Sequence, residues 1–583
     1  MKKTLLLILL LAAGCFMLAA CGNGKAPVPD GTAAPTEPTA PATTAAPEPP
    51  AGPSYTAETT EFETFTDLKA NAALFADLAP VTRSTKGYYE AGDGGAATYR
   101  VTRTKPSGVF EKIADGLWAE IETTDPVTPR QFGAYGDGAG VDTVCLDRAV
   151  AYAKAHGLLL VLPAGADYYV TAPLQLSDVE IRSDGAKISY WGKQQNKPAV
   201  NVGSNVTIRG SVTVWAVQNG MVNHGGRCGM AFGVYETGEG ASNCYVEEVI
   251  VTGGGMPDSN GVLVTGNSHD VRIDRLIVPS GTDVTRGILF HWGNAADHYT
   301  VDDGYGHKTY AHKPNWKPST HPHDCSVGKV VCTDLLAPKG KNDGDNAAVA
   351  ICACYNITVE EIECSNTYHA VEVTGADMGF EYASDAEKAH GQKNIRIGKI
   401  TATGLRGVGL YLPGYPWYIP QASAKSDLHF GTVDLSAAPG NTSFGVGLYA
   451  VASASFESLT LRGFGGGGMH LANSAKNVTV SQYSFAECGG SAVQVVSPVG
   501  TRHNDGNSEN LSFPAVTVSS AGGANVPLFV LRTVDGVSVG TVTFTSAGTW
   551  SAVAGVYPTA SGVTVGTVNK GPATVGPNVL SLS

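Results

Sequence analysis

The stretch GVLVTGNSHDVRIDRLIV (Gly261–Val278) contains the phrase that organises this chain. It begins with a small residue and alternating apolar residues, passes a turn, and ends close to the pattern N-V-T-I-x-x-I-x-V. Relatives of the phrase return at roughly 22 to 26 residues wherever the series is uninterrupted, which is typical of a solenoid. Short β-branched runs with breaks at Gly, Asn and Ser predict strands stacked in parallel. The pattern therefore predicts an all-β chain folded as a right-handed parallel β-helix. The related stretches are AVAICACYNITVEEIEC (Ala348–Cys364), GVGLYAVASASFESLTL (Gly445–Leu461), GMHLANSAKNVTVSQYSF (Gly468–Phe485), VPLFVLRTVDGVSVGTVTF (Val526–Phe544) and AVAGVYPTASGVTVGTV (Ala552–Val568).

Composition and charge agree with a solenoid of strands and tight corners. Gly accounts for 72 of 583 residues and charged residues for only 16%, which is poor material for long helices. The formal net charge of −13 argues against nucleic acid as a partner, because phosphate binding needs a basic surface. An acidic polysaccharide would also be repelled overall, unless a local basic patch receives it.

The first residues predict export and tethering. Lys2 and Lys3 precede an apolar run that ends in Leu18-Ala19-Ala20-Cys21. Residues 1–20 therefore predict a secretory signal, and the ending resembles the bacterial lipobox, in which the cysteine is lipidated. The resemblance implies lipidation at Cys21 and an exported protein anchored to the membrane, facing outside the cytoplasm. Residues 21–60 are rich in Pro, Thr and Ala and predict an extended spacer.

Residues 61–126 predict a small α+β module before the solenoid. TDLKANAALFADL (Thr66–Leu78) predicts one short amphipathic helix capped by Thr66 or Asp67. Gly92-Asp93-Gly94-Gly95 predicts a tight turn between two β-prone runs.

The start of the segment 127–583 carries a resemblance to a known family. Its pieces are Phe132-Gly133-Ala134, Gly136-Asp137-Gly138, Asp142-Thr143, and Leu160–Gly165 followed by Tyr169. These pieces resemble the opening of the pectate lyase superfamily, which implies a pectin lyase-like right-handed parallel β-helix with a capping helix. Asp142 or Thr143 would cap a helix near Val144–His156, whose apolar face (Val144, Ala149, Val150, Ala153) would cover the first coil. The residue sets of polygalacturonases and of calcium-dependent pectate lyases are not found, so the resemblance leaves the reaction open.

Strand alternation assigns outward-facing positions on the strand that follows each opening Gly or Ala. Two outward columns result, and they place His291, Glu372 and Tyr411 on neighbouring coils of one surface. Since adjacent strands lie about 4.8 Å apart, His291 and Glu372 are expected roughly 10 Å apart. One column holds Leu289, Ala350, Glu372, Gly409, Gly447 and His470; the other holds Thr265, His291, Cys352, Thr374, Tyr411 and Tyr449.

Four insertions interrupt the repeat after this same strand, at Asn294–Asp324, Ala376–Lys393, Pro413–Asp427 and about 498–510. Loops that leave one corner of successive coils are expected to wall a groove, and loops on a rigid scaffold often carry function. The stretch from His291 to Asp324 contains six of the 14 histidines. Substrate-binding candidates in these insertions, which pair aromatic platforms with cations to suit sugar rings, are Trp292, Lys308, Lys313, Trp316, Tyr415 and Trp417.

Three kinds of chemistry remain open for this groove. Glycoside hydrolysis needs two carboxyls, for which Glu372 with Asp302 or Asp303 is the pair to test. β-Elimination on a uronate needs a base and cations, for which His291 or His307 with Tyr411, Lys308 and Lys313 would serve. A divalent metal is the third alternative, since imidazole and carboxylate suit zinc. The sequence implies no cofactor firmly, and the metal candidates are His321, His323 and Asp324.

Nine cysteines follow Cys21, at irregular spacing, and this odd number does not resemble a disulfide framework. Cys332 and Cys364 occupy matching repeat positions, which predicts an internal stack of thiols.

Two classes of function fit these observations. The first is a surface-anchored carbohydrate-active enzyme, a glycosidase or a uronate lyase, that cleaves a polysaccharide beside the solenoid. The second is a non-catalytic glycan-binding or adhesin-like lipoprotein. The titratable residues of the insertion after His291 favour the enzyme, because binding alone does not need them.

Overall fold

A computed structural model describes most of the chain that follows the Pro-rich spacer. For residues 216, 298–302 and 308–312 it describes the backbone alone. The described residues are 53–122, 125–191, 197–216, 228–235, 237–253, 259–282, 284–291, 298–302, 308–312, 321–335, 346–352, 354–374, 392–413, 425–472, 474–496, 507–523 and 525–583.

The N-terminal module packs two short helices against a five-stranded sheet of order β1-β2-β3-β5-β4. The prediction of a single helix over Thr66–Leu78 is wrong: α1 (Phe65–Ala70) is followed by the capping residue Asn71, and α2 (Ala72–Phe75) passes into a 3-10 turn. The cap is Thr64, whose hydroxyl accepts from the backbone N–H of Asp67 at 3.0 Å. The strands are β1 Glu61–Phe62, β2 Val81–Thr85, β3 Ala97–Thr102, β4 Phe110–Ala114 and β5 Leu117–Ile121.

The capping helix α3 (Thr143–His156) covers the first coil. Asp142 stands at the N-cap position, but its carboxylate accepts from the backbone N–H of Gly136 at 3.1 Å and also from that of Tyr135. It therefore holds the preceding loop. Val144 was expected on the apolar face, yet its side chain is 57% exposed, because the buried stripe runs through positions one helical turn apart. The buried residues are Leu146, Ala149, Val150, Tyr152 and Ala153.

The remainder is the predicted right-handed parallel β-helix. Strands of the first part are β6 Asp137–Val141, β7 Leu160–Leu162, β8 Asp167–Val170, β9 Leu174–Leu176, β10 Val179–Tyr190, β11 Val200–Val202, β12 Val206–Ala216, β13 Cys228–Phe232, β14 Ser242–Thr252, β15 Asn260–Thr265, β16 His269–Val278, β17 Arg286–His291, β18 His298–Asp302, β19 Lys308–His312, β20 His323–Thr333, β21 Ala347–Cys352, β22 Tyr355–Ser365 and β23 His369–Thr374. Strands of the second part are β24 Lys393–Leu405, β25 Leu410–Leu412, β26 Ser426–Ala437, β27 Phe444–Tyr449, β28 Ala454–Arg462, β29 Gly467–Ala472, β30 Lys476–Ala486, β31 Val493–Val495, β32 Ser508–Ser519, β33 Gly522–Gly523, β34 Phe529–Leu531, β35 Val534–Phe544, β36 Thr549–Trp550, β37 Ala554–Val556, β38 Ser561–Val565, β39 Val568–Asn569, β40 Thr574–Val575 and β41 Val579–Ser581.

Most coils contribute one long and one short strand to two parallel sheets. The long-strand sheet runs from β10 through β12, β14, β16, β20 and onward to β35 and β38. The short-strand sheet has 14 strands, in the order β41-β37-β34-β31-β29-β27-β25-β23-β21-β17-β15-β13-β11-β9. Stacking each coil on the next satisfies the backbone of every inner strand and buries one continuous apolar core.

The long strands bend in the middle, which explains the two-residue gap in the repeated phrase. In β22, Ile357 and Val359 face the core, and Ile362 and Cys364 face it again after the bend. The intervening pair Glu360-Glu361 breaks the alternation and leaves two successive residues on the outside. The letters "x-x" in the phrase are therefore a corner of the coil.

The Asn or Asp that opens the phrase forms a second corner. These residues adopt left-handed backbone conformations, as at Asn205, Asn356 and Asn394 with φ of 58°, 52° and 55°, which Asn and Asp tolerate best after Gly. Their side chains form a ladder between coils: Asn356 Nδ2 donates to Asp324 Oδ1 at 2.8 Å, and Asn394 Nδ2 donates to Asn356 Oδ1 at 2.9 Å.

The predicted thiol stack is present, since Cys332 and Cys364 are register partners on β20 and β22, and both are buried. All nine cysteines from Cys145 to Cys488 lie among the described residues, and none of the nine forms a disulfide. Within the described ranges, no helix is long and apolar enough to cross a membrane.

Candidate functional site

The outer face of the short-strand sheet carries the main candidate residues. One outward residue from each strand lies in register with the next, and we call this row the outer column. Its members on β15, β17, β21, β23, β25, β27, β29 and β31 are Leu263, Leu289, Ala350, Glu372, Tyr411, Gly447, His470 and Gln494.

Tyr411 belongs to this column, and the sequence-based register of β25 is wrong by two residues. Leu410 pairs with Val371, so Tyr411 lies directly beside Glu372 and not in the column of His291. The reason is packing: a side chain at Gly407 would collide with the ring of Tyr368, and one at Gly409 would meet Leu405 and Leu435 of the core. Gly409, not Gly407, is therefore the small residue that opens this strand.

His291 and Glu372 share the outer surface but differ in surroundings. His291, at the end of β17, is half-buried, with its ring 5.6 Å from that of Tyr235. Glu372 is only 7% exposed. Between them the outer column is apolar and closed, because Leu289 and Ala350 are buried in a second cluster outside the core. Among the described residues of these coils, the outer column is therefore lined by buried apolar side chains, unlike the open groove expected along this face.

The polar, partly exposed part of the column begins at Tyr411. Tyr449 Oη and His470 Nδ1 are 2.7 Å apart, a hydrogen bond between neighbouring coils. The Tyr411 and Tyr449 rings are 6.2 Å apart at 83°, in an edge-to-face arrangement. Gly447 lies between them, and a Cβ there would come within 3.0 Å of the Tyr449 ring and 3.3 Å of the Tyr411 ring. The missing side chain therefore leaves room for both phenols.

Aromatic neighbours pack against the rings of Tyr411 and His470. His369 stacks on Tyr411 at 5.1 Å, and its Nδ1 bonds to the carbonyl oxygen of Val408. Phe444 stacks on His470 at 4.5 Å with an angle of 18° between the rings. Rings clamped in this way lose little further entropy when they bind a ligand.

Burial sets the protonation of this group. It raises the pKa of Tyr449 to about 12, with the neighbouring Tyr411 adding to the effect. Burial also raises the pKa of Tyr411, and the negative charge of Glu372 contributes. Desolvation lowers the pKa of His470 below its usual value, so the imidazole is neutral near pH 7. The pair therefore combines a protonated phenol with a neutral imidazole.

Lys425 links the ends of the two strands that carry Tyr411 and Tyr449. Its side chain is buried, and Nζ donates to the carbonyl oxygens of Pro413 at 2.7 Å and Tyr449 at 3.0 Å. The ammonium thus ties the end of β25 to the end of β27, the strands that carry Tyr411 and Tyr449. Burial lowers the pKa of Lys425 to about 7.

Tyr449 and His470 were not selected from the sequence as catalytic candidates. Both face outward, but Tyr449 lies two residues beyond Gly447, the register partner of His470, so their contact runs diagonally between neighbouring coils. The sequence feature that could have identified this pair is a tyrosine and a histidine at outward positions of two consecutive repeats.

The remaining candidates divide by location. Asp302 and Lys308 are backbone partners in the antiparallel hairpin β18–β19. Outside the described residues lie Cys21, Trp292, Asp303, His307, Lys313, Trp316, Tyr415 and Trp417.

The three metal candidates serve the fold in the part of the chain that is described. His321 is buried, and its carbonyl accepts from His323 Nδ1 at 2.8 Å. The His323 ring stacks between those of His269 and Tyr355, and Asp324 joins the Asn ladder. Among described residues, no group of three or more His, Cys, Asp or Glu side chains could hold a metal ion.

Comparison with known proteins gives structural similarity only. No family model and no curated protein matches the chain, so membership of the pectate lyase superfamily stays a prediction. The enzymatically active domain of tailspike protein 2 from bacteriophage CBA120 is 13% identical with a TM-score of 0.28; the match covers 84% of this chain but only 57% of the tailspike domain.

Two further solved structures show the same level of similarity. The A-module of the Azotobacter vinelandii mannuronan C-5 epimerase AlgE4 is 13% identical, with 78% of this chain and 100% of the module covered and a TM-score of 0.34. PfbA, a surface adhesin of Streptococcus pneumoniae, is 12% identical, with coverages of 78% and 91% and a TM-score of 0.35. Similarity this low carries no information on activity.

Proposed function

We propose that this protein cleaves a uronate-containing polysaccharide by β-elimination on the outer face of β25, β27 and β29. The observation that carries the proposal is the 2.7 Å hydrogen bond between Tyr449 and His470 on a partly exposed surface. A phenol that keeps its proton and an imidazole that lacks one are the acid and the base that elimination requires.

The reaction would proceed by balanced proton transfers. His470 accepts the proton at C5 of the uronate, and the electron pair forms the C4–C5 double bond as the C4–O bond breaks. Tyr449 turns its hydroxyl from His470 to the leaving oxygen and protonates it. The tyrosinate then recovers a proton from the imidazolium, which restores the resting pair.

The other candidates take supporting roles in this proposal. Tyr411 presents a ring beside the reacting pair, and Glu372 lies next to Tyr411. Lys308 and Lys313 would neutralise the uronate carboxylate, while Trp292, Trp316, Tyr415 and Trp417 would hold neighbouring sugars. Export and anchoring through Cys21 would place the enzyme where extracellular polysaccharide is available.

The first test is incubation with a panel of polysaccharides, recording ultraviolet absorbance of the unsaturated uronate together with reducing ends. We expect both signals to rise. Tyr449→Phe should lower kcat by about 10²- to 10⁴-fold, the usual contribution of a general acid, without lowering the melting temperature. His470→Gln should have a similar effect.

Tyr557→Phe is the matched control, since Tyr557 lies elsewhere, beneath Arg532 at 4.8 Å, and the ring is retained. New reducing ends without ultraviolet absorbance would contradict the lyase and favour a hydrolase. In a hydrolase, Glu372→Gln should abolish activity, and so should substitution of its partner carboxyl, Asp302 or Asp303.

A non-catalytic glycan-binding function is the second candidate. It is favoured by the partly exposed rings of Tyr411, Phe444 and His470, because such aromatic faces bind sugar rings without chemistry. Binding of a polysaccharide with neither cleavage signal would support it.

A further inference from the structure

Three aromatic side chains cluster on the outer face of the long-strand sheet, near the N-terminal end of the solenoid. Tyr169 lies on β8, Trp191 directly follows β10, and Trp215 lies on β12, so successive strands of this sheet carry one ring each. The Tyr169 and Trp191 ring centroids are 6.3 Å apart at 63°, and those of Trp191 and Trp215 are 4.5 Å apart at 69°. We call these three rings the aromatic patch. Tyr449 and His470 belong to the short-strand sheet, so the patch is separate from the proposed catalytic face.

The aromatic patch faces solvent. The neighbouring residues Tyr168 and Tyr190 point into the core, and strand alternation turns Tyr169 and Trp191 outward. Trp191 is 45% exposed, and Tyr169 and Trp215 are partly exposed. A single ring on a surface needs no explanation, whereas a cluster of exposed rings marks an interaction site. The patch is therefore a candidate docking surface.

The backbone beneath the aromatic patch is fixed. Ser189 lies in register between the two outer residues of the patch, is 2% exposed, and donates from Oγ to Asp167 Oδ1 at 2.6 Å. The backbone N–H of Trp191 donates to the carbonyl oxygen of Val170 at 2.8 Å. Edge-to-face contacts between neighbouring rings restrict their rotation further. The rings therefore lose little conformational entropy when they bind a partner.

A pair of opposite charges borders the rings. Lys187 Nζ donates to Asp167 Oδ2 at 2.9 Å and lies 4.9 Å from the centroid of the Trp215 ring. The Lys187 and Asp167 side chains are 36% and 30% exposed. An ammonium has three donors and a carboxylate has about four acceptor sites, and the contacts among the described residues use one donor and two acceptor sites. The pair can therefore donate to and accept from hydroxyl groups that lie against the rings.

These features decide which partner fits the aromatic patch. Aromatic rings beside hydroxyl-binding groups suit a sugar, which presents both CH faces and hydroxyls. Because Asp167 neutralises Lys187, the border carries no net charge, and a neutral sugar fits better than a uronate. Tyr and Trp also occur at membrane surfaces, but insertion of the patch into lipid would remove this ion pair from water at a large energetic cost. A neutral glycan is therefore the better partner.

We propose that the aromatic patch binds a neutral polysaccharide, as a second glycan site on the long-strand sheet. Trp191 contacts the face of one pyranose ring, and Tyr169 and Trp215 extend the platform along the chain. Asp167 and Lys187 bind its hydroxyls. The patch spans two strand steps, about 10 Å, which is room for adjacent sugar units of one chain. This site goes beyond the proposed function and does not depend on it, since the proposed substrate of the catalytic face is a uronate.

The test measures binding of cellohexaose, laminarihexaose, mannohexaose and xylohexaose to the full chain by calorimetry and by tryptophan fluorescence. We expect at least one of these neutral hexasaccharides to bind and to change the fluorescence. Trp191→Ala should weaken that binding about tenfold, the usual effect of truncating a central tryptophan of an interface. It should not lower the melting temperature, because the ring is exposed. Asp167→Asn should weaken binding severalfold, since an amide accepts hydrogen bonds less strongly than a carboxylate.

Trp118→Ala is the matched control, because Trp118 is a partly exposed tryptophan on β5 of the N-terminal module. It should leave binding unchanged. Failure of all four hexasaccharides to bind, or equal binding by Trp191→Ala and the wild type, would overturn the proposal. Trp191→Ala decides the matter even where Asp167→Asn fails to fold.

Two further measurements address the other partners. Cosedimentation with vesicles of phosphatidylcholine and phosphatidylglycerol should be the same for the wild type and Trp191→Ala. A loss of cosedimentation in the variant would show that the patch binds lipid and would contradict the glycan. If Trp191→Ala weakens binding of hexagalacturonate more than binding of the neutral hexasaccharides, the choice of a neutral sugar is wrong.

The two proposals fail separately. Tyr449→Phe should retain binding of the neutral hexasaccharide, which separates the patch from the catalytic face. Binding of a neutral hexasaccharide without cleavage of any polysaccharide contradicts the lyase alone. Cleavage of a uronate polysaccharide, with no effect of Trp191→Ala on binding of neutral sugars, contradicts the patch alone.

Discussion

Lys425 is a cation held away from water, and its energetic effect depends on pH. The ammonium is buried, and the described groups that accept its hydrogen bonds are the neutral carbonyls of Pro413 and Tyr449, which do not offset the loss of its hydration. The lowered pKa of about 7 expresses this cost. Below that pH the folded protein holds a charged lysine that the unfolded chain would hold more easily.

The change Lys425→Met tests this at the scale of one residue. Between pH 7 and the ordinary lysine value near 10.4, the unfolded chain binds more protons than the folded one. The lysine therefore makes the wild type more stable as pH rises through this window. From pH 7 to 8.5, we expect the unfolding free energy of the wild type relative to Lys425→Met to rise by roughly 1–2 kcal/mol. Denaturant titrations of both proteins at the two pH values measure the difference.

Tyrosines and cysteines with raised pKa values lower the unfolding free energy as pH rises above about 8. Both proteins contain them, so the difference between the wild type and Lys425→Met removes their contribution. A pH-independent difference between the two proteins would show that Lys425 keeps its usual pKa. In that case the ammonium would act only as a structural tie between the ends of β25 and β27.

At the scale of the element, the corner formed by Asn or Asp near the start of a long strand recurs from coil to coil. Asn356 adopts a φ of 52°, donates to Asp324 and accepts from Asn394, so one residue supplies both the backbone turn and a link to two coils. These two contributions can be separated by substitution, because Gly adopts the left-handed conformation freely and Ala adopts it only at an energetic cost.

We expect Asn356→Gly to destabilise the protein by about 1 kcal/mol through the lost hydrogen bonds. Asn356→Ala should cost about 1–2 kcal/mol more, because it also strains the backbone. Melting temperatures should then fall in the order Asn, Gly, Ala. An alanine variant as stable as the glycine variant would contradict the backbone part of the argument.

The strand β25 shows why the candidate site could be predicted only in part. The pentapeptide GVGLY occurs twice, at 407–411 and at 445–449, and local pattern alone aligns the two copies. In the structure they differ by two residues, since Tyr411 pairs with Gly447. Two-residue shifts keep every side chain on its own face, so alternation cannot detect them. The slip decides that Tyr411 lies beside Glu372.

At the scale of the whole molecule, the solenoid is held together by stacking and not by covalent links within its described part. None of the nine described cysteines from Cys145 to Cys488 forms a disulfide, and eight of them are buried. Burial raises the pKa of Cys145 to about 11 and of Cys332 and Cys354 well above the usual thiol value. Such thiols react slowly, because the thiolate is the nucleophile.

We therefore expect the melting temperature to be unchanged by a reducing agent. Labelling with a thiol reagent at neutral pH should reach at most Cys145 in the native protein and all nine cysteines after unfolding. Both are measured on a chain that begins after Cys21. A fall in melting temperature on reduction, or several rapidly labelled thiols, would contradict a fully stacked core.

What the sequence by itself determined is the repeating coil. Alternation of apolar residues, the two-residue gap at Glu360-Glu361 and the Asn or Asp near the start of most long strands are local properties, because strand parity and backbone preference act within a few residues. The tertiary structure alone decided the register between coils, and with it the Tyr449–His470 bond and the closing of the outer column at Leu289 and Ala350. The physical reason is that register depends on packing between residues distant in the chain, such as Gly409 against Leu435, and no local pattern records that contact.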